Sequence, residues 1–431
     1  MKETPAFDIR PQKKKFGGIG SFSEIYRPDA KPLRYLCVLA LFGVAFGLYK
    51  GIQDNYLAEI VQISAFERGI VEFFRETPGL LVILFLAALY RFSDSKIFKI
   101  GIWCMAAGLA GLLAAGTGKI IVVVFMVVFS VGEHIIMPVR STISLDLAKQ
   151  NQGGASLGIT TAISNLGNIL GYVIAAVLFF LFTRLGFGRL SLIRFKSVFL
   201  LAVLLMAGAA ITAMALKETA LKTKRRRFYF AGKFFKFYML EVFYGARKQI
   251  FITFAPYVLI LHYGADASII STLLAVCAVF GFLLSPFMGR LIDRVGYKII
   301  MVGDTLILIV VCLLYGFAHR IFPVHIAFVV VCVNFVLDSV ISLASMASNV
   351  YVQTIAANQE EITATLSTGV SINHVISIFI ALMGGWLWKT VGIEALFSMS
   401  AVLGIINSLY AASIKPGESV ESVDSNKVEK K

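Results

Sequence analysis

The sequence predicts an all-α membrane protein, with twelve transmembrane helices arranged as two pseudo-symmetric six-helix bundles. Three observations carry that prediction. Of 431 residues, 58% are hydrophobic and only 15% charged, whereas soluble domains hold roughly 45–50% and 25%. The apolar residues fall in long runs, such as Ile120–Val131, Tyr172–Phe182, Val198–Leu216 and Ala327–Val333, separated by short charged punctuation. Finally, a charged pattern recurs at about half the chain length.

A helix needs about 20 mostly apolar residues to cross the hydrocarbon layer, and the backbone must satisfy its own polar groups there. The runs and their flanks meet that length at 34–60, 68–91, 98–116, 119–146, 154–182, 195–216, 236–262, 268–289, 298–318, 323–351, 363–388 and 393–413. Spans 34–216 and 236–413 form the two bundles. Residues 1–33 read as a polar cytoplasmic tail with Lys13, Lys14 and Lys15 and no cleavable signal pattern. The linker 217–235 is basic, with Lys222, Lys224 and Arg225–Arg227. Residues 414–431, rich in Glu, Ser, Val and Lys, read as a disordered cytoplasmic tail.

The net charge of +15 sits mainly in tails and loops, where membrane topology explains it better than nucleic acid does. With both termini inside a cell (inner) membrane, the inner loops hold Arg91, Lys96, Lys99, Lys149, Arg290, Arg294 and Lys298. The outer loop after the fifth span, with Arg184, Arg189, Arg194 and Lys196, goes against the positive-inside rule. Cys37, Cys104, Cys277, Cys312 and Cys332 lie inside apolar runs at no metal-ligand spacing, and read as packing residues. No metal, no cofactor and a monomer are expected.

The stretch Gly289-Arg-Leu-Ile-Asp-Arg-Val-Gly-Tyr-Lys298 leads into the ninth span. Between the second and third spans stands Tyr90-Arg-Phe-Ser-Asp-Ser-Lys-Ile-Phe-Lys99, so that Asp94 and Asp293 are 199 positions apart and Arg91 and Lys99 align with Arg290 and Lys298. Parallel repeats of this kind build one large class of transporters. The first stretch resembles the loop signature of the major facilitator superfamily, Gly-x-x-x-Asp-Arg-x-Gly-x-Lys. The resemblance covers the whole hydrophobic chain, although the first copy is degenerate at Tyr90, Ser95 and Ile97. It implies a fold whose halves rock about a central site. It also implies a reversible cytoplasmic latch of Gly289, Arg290, Asp293, Arg294, Gly296 and Lys298, with Asp94 in the first copy. Asp293 is expected to cap the ninth helix.

Charged groups at mid-bilayer cost roughly 2.5–3.5 kcal/mol on insertion scales and normally face a cavity or a partner. Spans three and six carry none, and spans nine and twelve carry only Asp304 and the edge residue Glu394. The resemblance places those four spans outside the cavity. Arg247 and Lys248 lie at mid-depth in span seven, with Gly245 and Pro256 nearby. One of them is expected to face the cavity while the other pairs with a neighbouring helix.

Glu133 lies 14 residues beyond Lys119, about 21 Å along a helix, and shares a face with Met137 and Arg140. With His134 it is a candidate for proton coupling. Asp54, with Lys50 one turn before it, Asn334, Asp338 and His374 complete the candidate site. Glu72, Arg75 and Glu76 share a face and read as mutually neutralising; Asn165 and Asn168 read as helix–helix contacts.

There is no Gly-x-x-x-x-Gly-Lys-Ser/Thr phosphate loop and no sizeable soluble domain. The expectation is therefore a secondary active transporter of a small organic solute, proton-coupled, with a lean toward anions. An exporter of amphipathic compounds is the alternative. A polytopic membrane enzyme would need a histidine cluster near one interface, which the spacing of His134, His262, His319, His325 and His374 does not suggest.

Overall fold

The computed structural model describes residues 22–27, 32–89, 91–217 and 229–414. Most of the expected tails, and the basic cluster Lys222–Arg227, lie outside the described residues. Twelve long helices follow the expected spans: α1 Pro32–Ile60, α2 Ala65–Ala88, α3 Asp94–Ala115, α4 Lys119–Leu147, α5 Gly153–Arg184 and α6 Leu192–Met214. The second half repeats them as α7 Phe235–Leu261, α8 Ala267–Val295, α9 Tyr297–Ile321, α10 Val324–Ile355, α11 Gln359–Thr390 and α12 Ile393–Ala412. The last turn of α1 is a π turn, and α10 passes through a 3₁₀ turn at Ser342–Ser345.

Ten of the twelve are long and apolar enough to cross a membrane by length and composition. The two that fall short, α2 and α7, are dense in charge, with Glu67, Arg68, Glu72, Arg75 and Glu76 on α2 and Lys236, Glu241, Arg247 and Lys248 on α7. Burial in protein makes such segments tolerable at membrane depth.

Each half has its own core. One cluster joins α1–α6 through residues such as Phe98, Phe129 and Phe199; two others join α7–α12 around Phe254, Tyr315 and Phe397, and around Phe237, Met301 and Tyr351. The halves meet where α2 packs on α11, α5 on α8, and α1 on α7 and α8. The helices α3, α6, α9 and α12 pack mainly within their own halves. Leu200, Leu204 and Ile211 on α6 and Leu306, Ile307 and Val310 on α9 are exposed, which is the pattern of a lipid-facing stripe. Both described chain ends lie at one face, here the terminal face. Residues 22–27 do not trail away as a tail: Tyr26 bridges Ala148, and Lys149 N–H donates to Ile25 O at 2.9 Å.

Candidate functional site

The site grows from α2. Arg68, Glu72, Arg75 and Glu76 are spaced i, i+4, i+7 and i+8, so their side chains emerge on one helical face. Packing then buries that face, and buried charges must pair. Glu72 is fully buried and accepts from Arg68 Nη1 at 2.7 Å, from Arg75 Nε and Nη2 at 2.9 and 2.6 Å, and from Gln249 Nε2 of α7 at 3.0 Å. Arg68 also pairs with Asp54 of α1 at 3.1 Å, and Arg75 with Glu76, while Glu133 of α4 stands 3.8 Å from Arg75.

Glu76 extends this lattice across the two halves. Its Oε2 lies 2.8 Å from His374 Nδ1 of α11 and 4.0 Å from His134 Nε2 of α4. The two imidazole rings are 4.9 Å apart and T-shaped.

The second half carries a simpler arrangement. Arg247 Nη1 donates to Asp338 Oδ1 of α10 at 3.0 Å, both residues buried, and Arg247 Nη2 finds no hydrogen-bond partner among the described residues. Lys248 lies 5.9 Å from the Tyr244 ring centroid and has no carboxylate within ion-pair distance among the described residues. Glu241 of α7 accepts from Ser348 at 3.2 Å and Asn373 at 3.4 Å.

A cavity of about 830 Å³ opens between α5 and α8 in the half of the molecule nearer the terminal face. Thr161, Asn165, Asn168, Tyr172, Ser285 and Ser339 give it polar groups, the rest of its wall is apolar, and none of its lining residues is charged. Asn168 Oδ1 is buried without a hydrogen-bond partner among the described residues. The same helices touch nearer the opposite face, where Ser268 Oγ donates to Ala176 O at 3.0 Å and Ser271 Oγ to Gly51 O at 2.9 Å. There Arg189 ties the halves together: it donates to Glu59 at 2.8 Å and to the carbonyls of Gly264 and Ala265 at 2.8 and 3.2 Å. A second cavity of about 480 Å³, lined by apolar residues such as Val173, Ala176 and Val276, lies between α5 and α8 beside the Ser268–Ala176 bond.

The structure corrects several sequence expectations. Asp54 pairs with Arg68, not with Lys50, which lies over the Phe46 and Tyr49 rings. Arg140 reaches Ser164 of α5 at 3.5 Å, so the nearest cation to Glu133 is Arg75. Asn334 donates to Val330 O of its own helix at 2.7 Å, and does not join Asp338. Asn165 and Asn168 line the cavity wall. Gly245 is a point of close approach to α11, where a β-carbon would stand 2.9 Å from the Asn373 amide.

At the expected latch, Asp293 and Arg294 lie in the exposed last turn of α8, and no side chain caps α9. Gly296 makes the turn with φ +93°, a conformation that favours glycine. Among the described residues Arg290 bonds only its own helix, at Pro286 O, and nothing lies within 4 Å of where a β-carbon on Gly289 would stand. Ser93, not Asp94, caps α3. The repeat survives in the lysines: Lys99 donates to Leu216 O at 2.9 Å and Lys298 to Ile414 O at 2.8 Å, each holding the end of the last helix in its half.

The histidines do gather. Besides His134 with His374, His262 and His319 meet edge-to-face at 4.9 Å near the opposite face, with Glu394 bonded to His319 at 3.1 Å and to Arg320. Arg68, Gln249, Glu59 and the across-the-halves role of Glu76 were not singled out from the sequence. The alternation of sign at helical spacing on α2 was the available signal for Arg68; the others depend on long-range packing.

Residues 237–431 match the sequence profile described as Major Facilitator Superfamily. No curated protein matches the chain in sequence. Among solved structures, the fold resembles a mutant of the nucleoside transporter NupG, with TM-score 0.70 at 14% identity over 89% of this chain and 99% of that one. It also resembles a D-xylose–proton symporter, with TM-score 0.71 at 13% identity over 90% and 98% of the two chains. A POT family transporter in complex with 5-aminolevulinic acid gives TM-score 0.67 at 13% identity over 92% and 96%.

Proposed function

We propose that this chain, whose second half matches the Major Facilitator Superfamily profile and whose fold resembles that of solved transporters, is a proton-coupled carrier of a small organic solute. It works by alternating access, with both termini on the cytoplasmic side of a cell membrane. The observation that supports the reading is the uneven hold between the halves: bonds from Arg189 and Ser268 join them near the opposite face, and the 830 Å³ cavity between α5 and α8 lies nearer the terminal face. The exposed, unlatched Asp293–Arg294 turn fits an inward-open state.

Coupling falls to Asp338 and Arg247. A proton on Asp338 cancels its charge, dissolves the pair and frees the guanidinium for an anion. Arg247 Nη2, without a partner, and Lys248, without a carboxylate, support an anionic group on the solute. The uncharged cavity wall favours a second reading, in which the solute is a neutral or amphipathic compound. One similar structure is a D-xylose–proton symporter and another a nucleoside transporter, so proton coupling and neutral solutes have precedent on this fold.

A thermal-shift screen of organic carboxylates against cationic amphiphiles separates the two solutes. The stabilising compound is then followed into proteoliposomes. Uptake should rise with an imposed pH gradient and be abolished in Arg247→Gln and Lys248→Gln, both folded in the membrane. Equal uptake with and without the gradient removes the coupling; normal uptake by both variants removes the site.

A further inference from the structure

We propose that Glu76, His134 and His374 form a binding site for a divalent transition-metal ion of the zinc class. Two ligands come from the first half and one from the second, so the site exists only while α11 packs on α2.

The three ligand atoms are within reach of one ion, all lying within 4.8 Å of one another. Glu76 Oε2 is hydrogen-bonded to His374 Nδ1 at 2.8 Å, so an ion would take the place of the proton on that edge, and it lies 4.0 Å from His134 Nε2. Ligand atoms around a tetrahedral zinc stand about 3.4 Å apart, since each lies about 2.0–2.2 Å from the metal. The two separations of 2.8 and 4.0 Å each differ from that spacing by about 0.6 Å, and the third by at most about 1.4 Å.

The state of His134 points the same way. Its Nδ1 lies 2.8 Å from the Ser130 carbonyl, which can only accept, so the ring proton sits on Nδ1. Nε2 is then left with a bare lone pair. The atom belongs to a buried residue, makes no hydrogen bond to a described residue, and lies 4.0 Å from a carboxylate oxygen, which is also an acceptor. Two acceptors facing each other across that gap leave a place that a cation would fill. A ring N–H held by a backbone carbonyl is also how metal-ligating histidines are commonly oriented.

Glu76 is divided in a matching way. Oε1 takes Arg75, which leaves Oε2 for the two imidazoles. Gly79 keeps the spot clear, because a β-carbon there would stand 2.6 Å from His134 Nε2 and 2.9 Å from His374 Nδ1. Charge balance agrees as well. Four carboxylates, Asp54, Glu72, Glu76 and Glu133, meet two guanidiniums, Arg68 and Arg75, in this lattice. Lys50, over aromatic rings nearby, adds a third positive charge, which still leaves the carboxylates one in excess. His374 is 19% exposed at its side chain, which gives an ion a way in. Two imidazoles and one carboxylate with an open position are a ligand set that zinc, cobalt and their neighbours share.

The full chain, purified in detergent and stripped by chelator, is titrated with Co²⁺ and the visible absorption recorded. Wild type should bind one equivalent with the intense bands of a low-symmetry nitrogen–oxygen site, and Zn²⁺ should displace it. His134→Gln and His374→Gln should each weaken binding by more than the roughly 10–100-fold that loss of an outer-shell partner costs. Gly79→Ala keeps every ligand and fills the space, so it too should lose affinity. His319→Gln, at the other histidine pair, should bind as wild type does. A wild type without a stoichiometric cobalt spectrum overturns the proposal regardless of how the variants fold. So does a spectrum unchanged in both His374→Gln and Gly79→Ala. Binding is read without transport, so its failure leaves the carrier reading standing.

Discussion

The two halves share a fold and treat buried charge in opposite ways. In the first half, Asp54, Arg68, Glu72, Arg75, Glu76 and Glu133 form one lattice in which Glu72 alone accepts four hydrogen bonds. In the second half, Arg247 and Asp338 form a single pair, joined by one bond of 3.0 Å. At the centre of that lattice Arg68, Glu72 and Arg75 each touch two or more other charges, so none of the three can leave cheaply. A single pair can open when one proton arrives. The first half is therefore built to hold its arrangement, and the second to change it.

The largest expected effect tests that contrast directly. Glu72→Gln removes the hub between two buried guanidiniums, and breaking a buried pair costs about 3–5 kcal/mol. Asp338→Asn breaks a buried pair too, but it strands one guanidinium where Glu72→Gln strands two, and the asparagine Oδ1 still accepts from Arg247 Nη1, so its loss falls at the lower end of that range. In detergent, Glu72→Gln should lower the thermal midpoint more than Asp338→Asn does, while Asp338→Asn should lose transport in a folded protein. A larger midpoint drop in Asp338→Asn would break the contrast.

The same contrast shows what a sequence can and cannot carry. Twelve spans were legible because a 20-residue apolar requirement is local, and every long helix falls where hydropathy placed it. The peripheral set α3, α6, α9 and α12 was legible from its lack of charge. The partners of the charges were not. Asp54 has Lys50 one turn away, yet pairs with Arg68 across a helix boundary, because packing and not spacing selects the partner. Glu76 and His374 are separated by most of the chain and meet only when the halves close. Arg189 looked like a breach of the positive-inside rule; its bonds to Glu59, Gly264 and Ala265 explain the exception. The neighbouring Arg194 is likewise buried against Phe179 O and Thr183.

Arg189 supplies the next, smaller test. The first half reaches over to lock the second at the opposite face, and at the terminal face the Asp293–Arg294 turn makes no such bond among the described residues. Arg189→Gln should loosen only the opposite face. An exposed ion pair is worth about 0–1 kcal/mol, so the open population should rise by up to about 5-fold, since 1.4 kcal/mol is tenfold. Spin labels at Leu190 and His262, in a background without the native cysteines, report the separation. Raised salt should mimic the substitution, because the pair is exposed and screened. An unchanged distance distribution would remove Arg189 from the seal.

The smallest test asks whether the repeat is physical or only a pattern of letters. The first-half loop has lost its glycines, and the caps of α3 and α9 differ, yet Lys99 and Lys298 perform one task. Each sits early in the third helix of its half and donates to a carbonyl beyond the end of the sixth. A cation at a helix C-terminus is worth about 0.3–1 kcal/mol. Lys99→Met and Lys298→Met should therefore lower the thermal midpoint by small and similar amounts, and together additively, because the two sites share no partner. Methionine keeps the apolar stem of lysine, so packing is retained and the lost charge is what is measured. If Lys298→Met alone has an effect, the symmetry lies in the backbone and the first-half lysine is a relic; equal effects show that the two halves still close their bundles by the same contact.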